Sequence, residues 1–197
     1  MPRPPRILKD EGIYHLISRG NNKNPVFEVD NSYKKFKEIL FLSRLKFNWR
    51  IYHYCLMPNH VHILAWIEKG KELPKLMQHV LQAYSRWYDW KTGFTGYFWQ
   101  GRYKSPLIEN DIYLLECARY IERNPIRASL VRKPEDYLWS SYRYYALGID
   151  DPLIYSNPVY QNFGNNVFER QKKYTDFVKL SSLHEPLLDQ ALLSKFF

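Results

Sequence analysis

Hydrophobic and polar positions alternate over Ile13 to Arg19 (IYHLISR), which predicts a strand, and the turn-prone Gly20-Asn21-Asn22 closes it. From Asn31, read as an N-cap, the period changes. Tyr33, Phe36, Ile39, Leu40, Ser43 and Phe47 recur at helical spacing with lysines opposite, so an amphipathic helix is expected. Arg50 to Leu56 and Val61 to Ile67 are β-rich runs joined by Met57-Pro58-Asn59, most simply an antiparallel pair. Leu73 to Trp90 returns to helical spacing. Lys91 to Arg102 holds three glycines and four aromatics without a clear period and reads as a loop or short hairpin. Ser105 to Glu109 reads as a short strand. Asp111 is expected to cap a helix over Ile112 to Arg123, and Pro125 to close it, because the residue before a proline avoids the α region.

The order is β-α-β-β-α-β with one extra helix. That arrangement predicts an α+β fold with a ferredoxin-like, four-stranded antiparallel sheet and helices on one face. Asp150 to Asn166, bearing Pro and Asn, reads as a linker ahead of a helical segment from about Phe168. The expected organisation is one domain over 1–149 and a partly helical extension over 150–197. A chain of 197 residues is long enough for that and too short for several catalytic domains in series.

Charge narrows the function. Lys and Arg number 29 against 20 Asp and Glu, a net +9, and 151–197 carries five of each sign, so the whole excess lies in the first 150 residues. With 17% aromatic residues, nucleic acid is the leading partner. No run approaches the length of a membrane span and the start lacks a signal-peptide core, so a cytoplasmic protein is expected. Cys55 and Cys117 lie in apolar stretches and are read as small buried hydrophobes.

The sharpest local feature is His60-Val61-His62. Along a strand the two imidazoles point to one side and Val61 to the other, a geometry suited to a divalent metal. Two nitrogens hold a metal weakly, so further groups are sought. On the helix from Ile112, Glu116, Tyr120 and Asn124 fall at i, i+4 and i+8 along one face. His15 and His53 lie in expected strands and read as structural histidines; His79 and His184 have no partner at metal-like spacing. Trp139-Ser140-Ser141-Tyr142 reads as packing beneath the sheet, because no base is placed for a serine nucleophile.

CLMPNHVHIL over Cys55 to Leu64, FWQGRY over Phe98 to Tyr103 and YIERNPIRASLV over Tyr120 to Val131, in that order, resemble the single-tyrosine HUH transposases. The likeness is closest to the IS200-like branch known as REP-associated tyrosine transposases and spans roughly Ile7 to Leu147. It implies that His60 and His62 are metal ligands, Tyr120 the nucleophile and Asn124 the third ligand, where the insertion-sequence members carry Gln. Glu116 is an alternative third ligand on the same face. It further implies Mg or Mn, with Zn allowed by ligand type, and attack by Tyr120 on single-stranded DNA to give a 5′-phosphotyrosine. Relatives act as dimers exchanging the tyrosine helix or as single chains, so a homodimer is one expected arrangement.

A DNA surface is expected from Arg19, Asn21, Trp99, Gln100, Arg102 and Lys104, where arginines bind phosphates and aromatics stack on unpaired or hairpin bases. Tyr103 lies in the same stretch. Arg119, Arg123 and Arg127 recur at helical spacing as a phosphate track, with Pro125 expected to bend the path before Arg127. The reading from sequence is a metal-dependent single-strand nuclease and strand transferase working beside DNA hairpins. Its rivals are a non-catalytic hairpin-binding protein of the same fold and another HUH nuclease, a replication initiator or relaxase.

Overall fold

The structure, a computed structural model, describes residues 7–181. Four strands, β1 (Gly12–Arg19), β2 (Trp49–Met57), β3 (His60–Ile67) and β4 (Leu107–Ile108), form one sheet in the order β2-β3-β1-β4, antiparallel throughout. That is the ferredoxin-like order. Helices α1 (Ser32–Ser43) and α2 (Leu73–Thr92) connect the strands; α3 (Asp111–Arg127), α4 (Tyr142–Leu147) and α5 (Val167–Lys179) follow β4. His184 and the end of the extension lie outside the described residues.

Alternation along the strands divides the sheet into two unlike faces. Tyr14, Leu16, Val61, Ile63 and Ala65 pack with Phe36 and Leu40 of α1 and Leu76, Val80 and Tyr84 of α2. Ile17, Cys55, Met57 and Leu64 meet Leu114, Cys117, Ala118 and Ile121 of α3. The two crossover helices share one face and α3 covers the other. Both cysteines are buried and free.

Strand β2 departs from strict alternation, because its apolar residues Trp49, Ile51, Tyr54 and Leu56 break step between 51 and 54. A register shift between Ile51 and His53, paired with Ala65 and Leu64, absorbs the extra residue Tyr52. All four apolar side chains therefore reach the α1–α2 core while His53 turns to the α3 face.

Three helix ends differ from expectation. Asn31 precedes α1 in the left-handed region, φ 64°, and its side chain makes no cap bond; that turn is one Asn tolerates, and it does not present the amide as an extended N-cap would. At α3 the cap is Asn110 and not Asp111: Asn110 is extended and its Oδ1 accepts from the Tyr113 amide at 2.8 Å. Pro125 does not close α3, which runs on to Arg127. A proline removes the N–H that would meet the Ile121 carbonyl. Asn124 Nδ2 compensates, donating to the Tyr120 carbonyl at 2.8 Å and reaching that of Ile121 at 3.5 Å.

The stretch from Asp150 is not a free linker. The Tyr155 amide donates to the Ile51 carbonyl, Ile154 bridges to Ile51, and Asp151 accepts from the Tyr54 hydroxyl and pairs with Lys37. Trp139-Ser140-Ser141 also lies along β2: Leu56 donates to the Trp139 carbonyl and Ser141 to that of Tyr54. Between them these segments cover an edge of unpaired backbone groups.

Beneath this cover sits Glu122 of α3, fully buried, whose carboxylate accepts from His53 Nδ1 at 2.9 Å, Ser141 Oγ at 2.6 Å and the Tyr174 hydroxyl at 2.8 Å. His53 Nε2 accepts from Asn157 Nδ2, which defines the ring as the Nδ1–H form. Glu122→Ala takes the acceptor from His53 Nδ1 and the Tyr174 hydroxyl and leaves Ser141 Oγ only the Tyr54 carbonyl at 3.3 Å; it is expected to cost about 3 to 5 kcal/mol, read as a lower urea midpoint. Glu122→Gln, which keeps an oxygen, is expected to lose less; equal losses would mean that side-chain volume and not hydrogen bonding holds the site.

Candidate active site

Antiparallel register aligns the histidine pair with the end of β1. Arg19 is opposite His60 and Ile17 opposite His62, so all four belong to the α3 face. His60 and His62 stand with ring centroids 4.8 Å apart and nearly perpendicular. Helix α3 crosses here. The Tyr120 ring lies edge-on 5.8 Å from that of His62 within the same chain, and is almost fully buried.

Two neighbours complete the cluster. His15, on β1 diagonally across from His62, has Nε2 at 2.8 Å from His62 Nδ1 and its ring 6.2 Å from that of Tyr120. The Arg127 guanidinium covers the Tyr120 ring at 5.0 Å.

The imidazoles are held uncharged. Burial, with His60 adding to it, takes His15 down to about 3; burial, with Arg19, takes His60 to about 4; burial first, then His60, His15 and Arg127, puts His62 well below its ordinary value. A neutral imidazole has the lone pair a metal needs. His60 Nδ1 donates to Asn59 Oδ1 at 2.6 Å, which leaves Nε2 for a ligand. Asn124, with its amide nitrogen turned back on the helix, has Oδ1 as its available donor atom. Among the described residues no three His, Cys, Asp or Glu side chains form a metal cluster. Two imidazole nitrogens and an amide oxygen are nevertheless a donor set suited in chemistry to a hard or borderline divalent cation, and Nδ1 of both His60 and His62 is hydrogen-bonded, as in metal-binding histidines.

Other expected site residues are placed less uniformly. Glu116 forms an ion pair with Arg119, which also stacks on Phe177 of α5. Arg123 donates to the Val178 and Lys179 carbonyls and so caps the C-terminal end of α5. Trp99 is half-buried, donates to the Leu81 carbonyl and packs against Phe98 and Tyr84; its indole belongs to the α2 core. Gln100 donates its backbone amide to Arg19, Asn21 to Phe98 and Lys104 to Ile17, which ties 98–104 to the end of β1 beside the histidines. Arg102 is exposed. Gly20 lets 24–26 fold back against the end of β1, since a Cβ there would collide with the Asn24 carbonyl and Val26.

Sequence reasoning missed two members. His15 shares strand parity with Ile17 and Arg19, so pairing β1 with His60–Ile67 was enough to bring it to the α3 face. Arg127 follows Tyr120 by seven residues, two helical turns, and the expected break at Pro125 hid that relation.

The family model for IS200-like transposases matches residues 9–124, more than half of the chain, including His60, His62, Tyr120 and Asn124. The chain belongs to the IS200-like transposase family. A solved structure of a REP-associated tyrosine transposase bound to a REP hairpin is similar in fold, with a TM-score of 0.65 at 15% identity, over 80% of this chain and 93% of that one. No curated protein matches. Among the described residues, no helix of this IS200-like transposase is long and apolar enough to cross a membrane.

The depressed histidines make stability pH-dependent. Between the ordinary value of 6.5 and the native values of about 4 and about 3, the unfolded chain takes up protons that the native state refuses. Their contribution is therefore complete above 6.5 and is lost as pH falls through that window. In metal-free buffer the melting temperature should drop from pH 7 to 4 more steeply for the wild type than for a His15→Gln/His60→Asn variant. Parallel curves would show that these rings are charged in the native state.

Proposed function

We propose that this IS200-like transposase cuts and rejoins single-stranded DNA beside a hairpin, with Tyr120 as nucleophile. The observation that carries the reading is the meeting of Tyr120 with the His60–His62 pair inside one chain, ring to ring at 5.8 Å. The hairpin as partner is argued from the similar REP-associated enzyme, which holds one, and from the net charge of +9.

In the reaction the Tyr120 phenol attacks a phosphodiester in line. The bond from Oη to phosphorus forms, the phenolic proton is released, and the bond to the 3′-side oxygen breaks, that oxygen leaving as a 3′-hydroxyl. The product is a 5′-phosphotyrosine, and a second 3′-hydroxyl reverses the step without an external energy source. A divalent cation bound by His60, His62 and Asn124 Oδ1 supplies positive charge for the phosphoryl oxygens. Arg127, stacked on the phenol, holds its guanidinium where the negative charge of the bound phosphate arrives. Arg19, Gln100 and Lys104 continue this rim along the end of β1, and exposed Arg102 extends it. Because the centre assembles within one chain, a single copy is sufficient for cutting and no exchanged helix is needed.

The test is a labelled oligonucleotide carrying a hairpin and single-stranded flanks, incubated with Mn or Mg and run under denaturing conditions. Wild type is expected to give a covalent adduct, and Tyr120→Phe none; an adduct with Tyr120→Phe would overturn the assignment. His60→Ala is expected to lower the rate at least a hundredfold. A wild type that binds hairpins and never forms an adduct would establish the non-catalytic reading instead.

Arg127→Ala should slow adduct formation by about tenfold to hundredfold, with little change in melting temperature because Arg127 is exposed. Arg127→Lys should recover part of that rate, since it restores charge without the planar stack. Unchanged kinetics in Arg127→Ala would remove this residue from the mechanism.

A further inference from the structure

His15 has no place in the chemistry set out above, yet it is fully buried and has one hydrogen-bond partner among the described residues, His62. Its other ring nitrogen, Nδ1, is buried without a partner. The polar function of this side chain is therefore directed at His62 alone.

Two uncharged rings with nitrogens 2.8 Å apart share one proton between them, and two arrangements satisfy that. If His15 Nε2–H donates to His62 Nδ1, the His62 proton sits on Nε2 and that nitrogen has no lone pair to offer. If His62 Nδ1–H donates to His15 Nε2, His62 Nε2 is bare and faces outward as a ligand. His60 is already held in the equivalent form, its Nδ1–H on the Asn59 oxygen.

We propose that His15 is a positioning residue that accepts the His62 Nδ1 proton when a divalent cation is bound, and so orients and frees His62 Nε2. The inference rests on the metal reading of His60 and His62. It has a built-in cost. In the cation-bound arrangement the proton of His15 moves to Nδ1, where no described residue accepts it, so His15 is an imperfect acceptor. Glutamine at this position reaches His62 with an amide oxygen that can accept the same proton, its NH2 taking the place of the unpartnered ring nitrogen; asparagine is too short to reach.

The test measures Mn²⁺ binding to the full-length protein without DNA, by calorimetry or by the free-ion EPR signal. His15→Asn and His15→Leu are expected to weaken binding by about tenfold or more, and His15→Gln to bind close to wild type. Nitrogen-15 spectra of the His62 ring with saturating Mg²⁺ should show the proton on Nδ1. A common fall for Gln and Asn, or no fall for either, overturns the proposal, as does an Nε2–H form of His62 in the Mg²⁺-bound protein. The Gln and Asn pair decides the matter even where Leu does not fold. Wild type that binds no Mn²⁺ at millimolar concentration defeats the underlying metal reading and the role of His15 together, a result distinct from any pattern among the variants.

Discussion

The position of Tyr120 depends on a carboxylate two residues further along α3. Glu122 is buried and accepts from His53 on β2, Ser141 beside the β2 edge and Tyr174 on α5. A buried charge without donors costs several kcal/mol, so these partners do more than stabilise: they define the rotation and axial position of the helix. Sliding α3 by one residue turns it by about 100° and pulls Glu122 from all three donors at once. Tyr120 is therefore held over the histidines by a network remote from its own ring, and α5 with the stretch from Asp150 contributes to the placement of Tyr120 from a distance.

The sheet itself divides the labour. Its α1–α2 face is apolar and closely packed, whereas its α3 face places His15, His53 and His62 in the interior. Three buried imidazoles are tolerable because each is hydrogen-bonded at one or both nitrogens, and those at the catalytic end are uncharged. The bulge at Tyr52 reconciles the two faces on β2. Were Tyr52 paired in strict alternation instead of bulged, either Tyr54 and Leu56 or Trp49 and Ile51 would leave the apolar core, and in the first case His53 would also turn away from Glu122.

Much of the sheet was legible because strand alternation and helical period are local properties. Gly12–Arg19, Trp49–Met57 and His60–Ile67 differ from the expected runs by a residue or two, and the His60–His62 pair followed from strand parity alone. Partnerships between distant residues were not legible. Nothing local to His15 marks it as a neighbour of His62, since the contact exists only after β1 inserts between β3 and β4. Trp99 illustrates the reverse case: Gln100, Arg102 and Lys104 close after it in the sequence suggest a DNA surface, but its indole is claimed by Leu81 and Tyr84. The expected end of α3 failed because a rule about the residue before proline was applied without the side chain that counteracts it.

That side chain connects the helix end to the chemistry. Pro125 deprives the Ile121 carbonyl of its normal donor, and the residue before it is an asparagine whose amide is short enough to fold back one turn onto the Tyr120 and Ile121 carbonyls. Two consequences follow from one contact. The helix survives two residues past the proline, which brings Arg127 back over the Tyr120 ring. The amide is also oriented, since a carboxamide with its nitrogen engaged on the helix turns its oxygen away from it. A glutamine here would carry its amide one methylene further from the backbone and fit that short return less well. The asparagine is thus matched to the proline beside it, and the Asn124-Pro125 pair acts as one unit that sets both the direction of the Asn124 oxygen and the arginine over the Tyr120 ring.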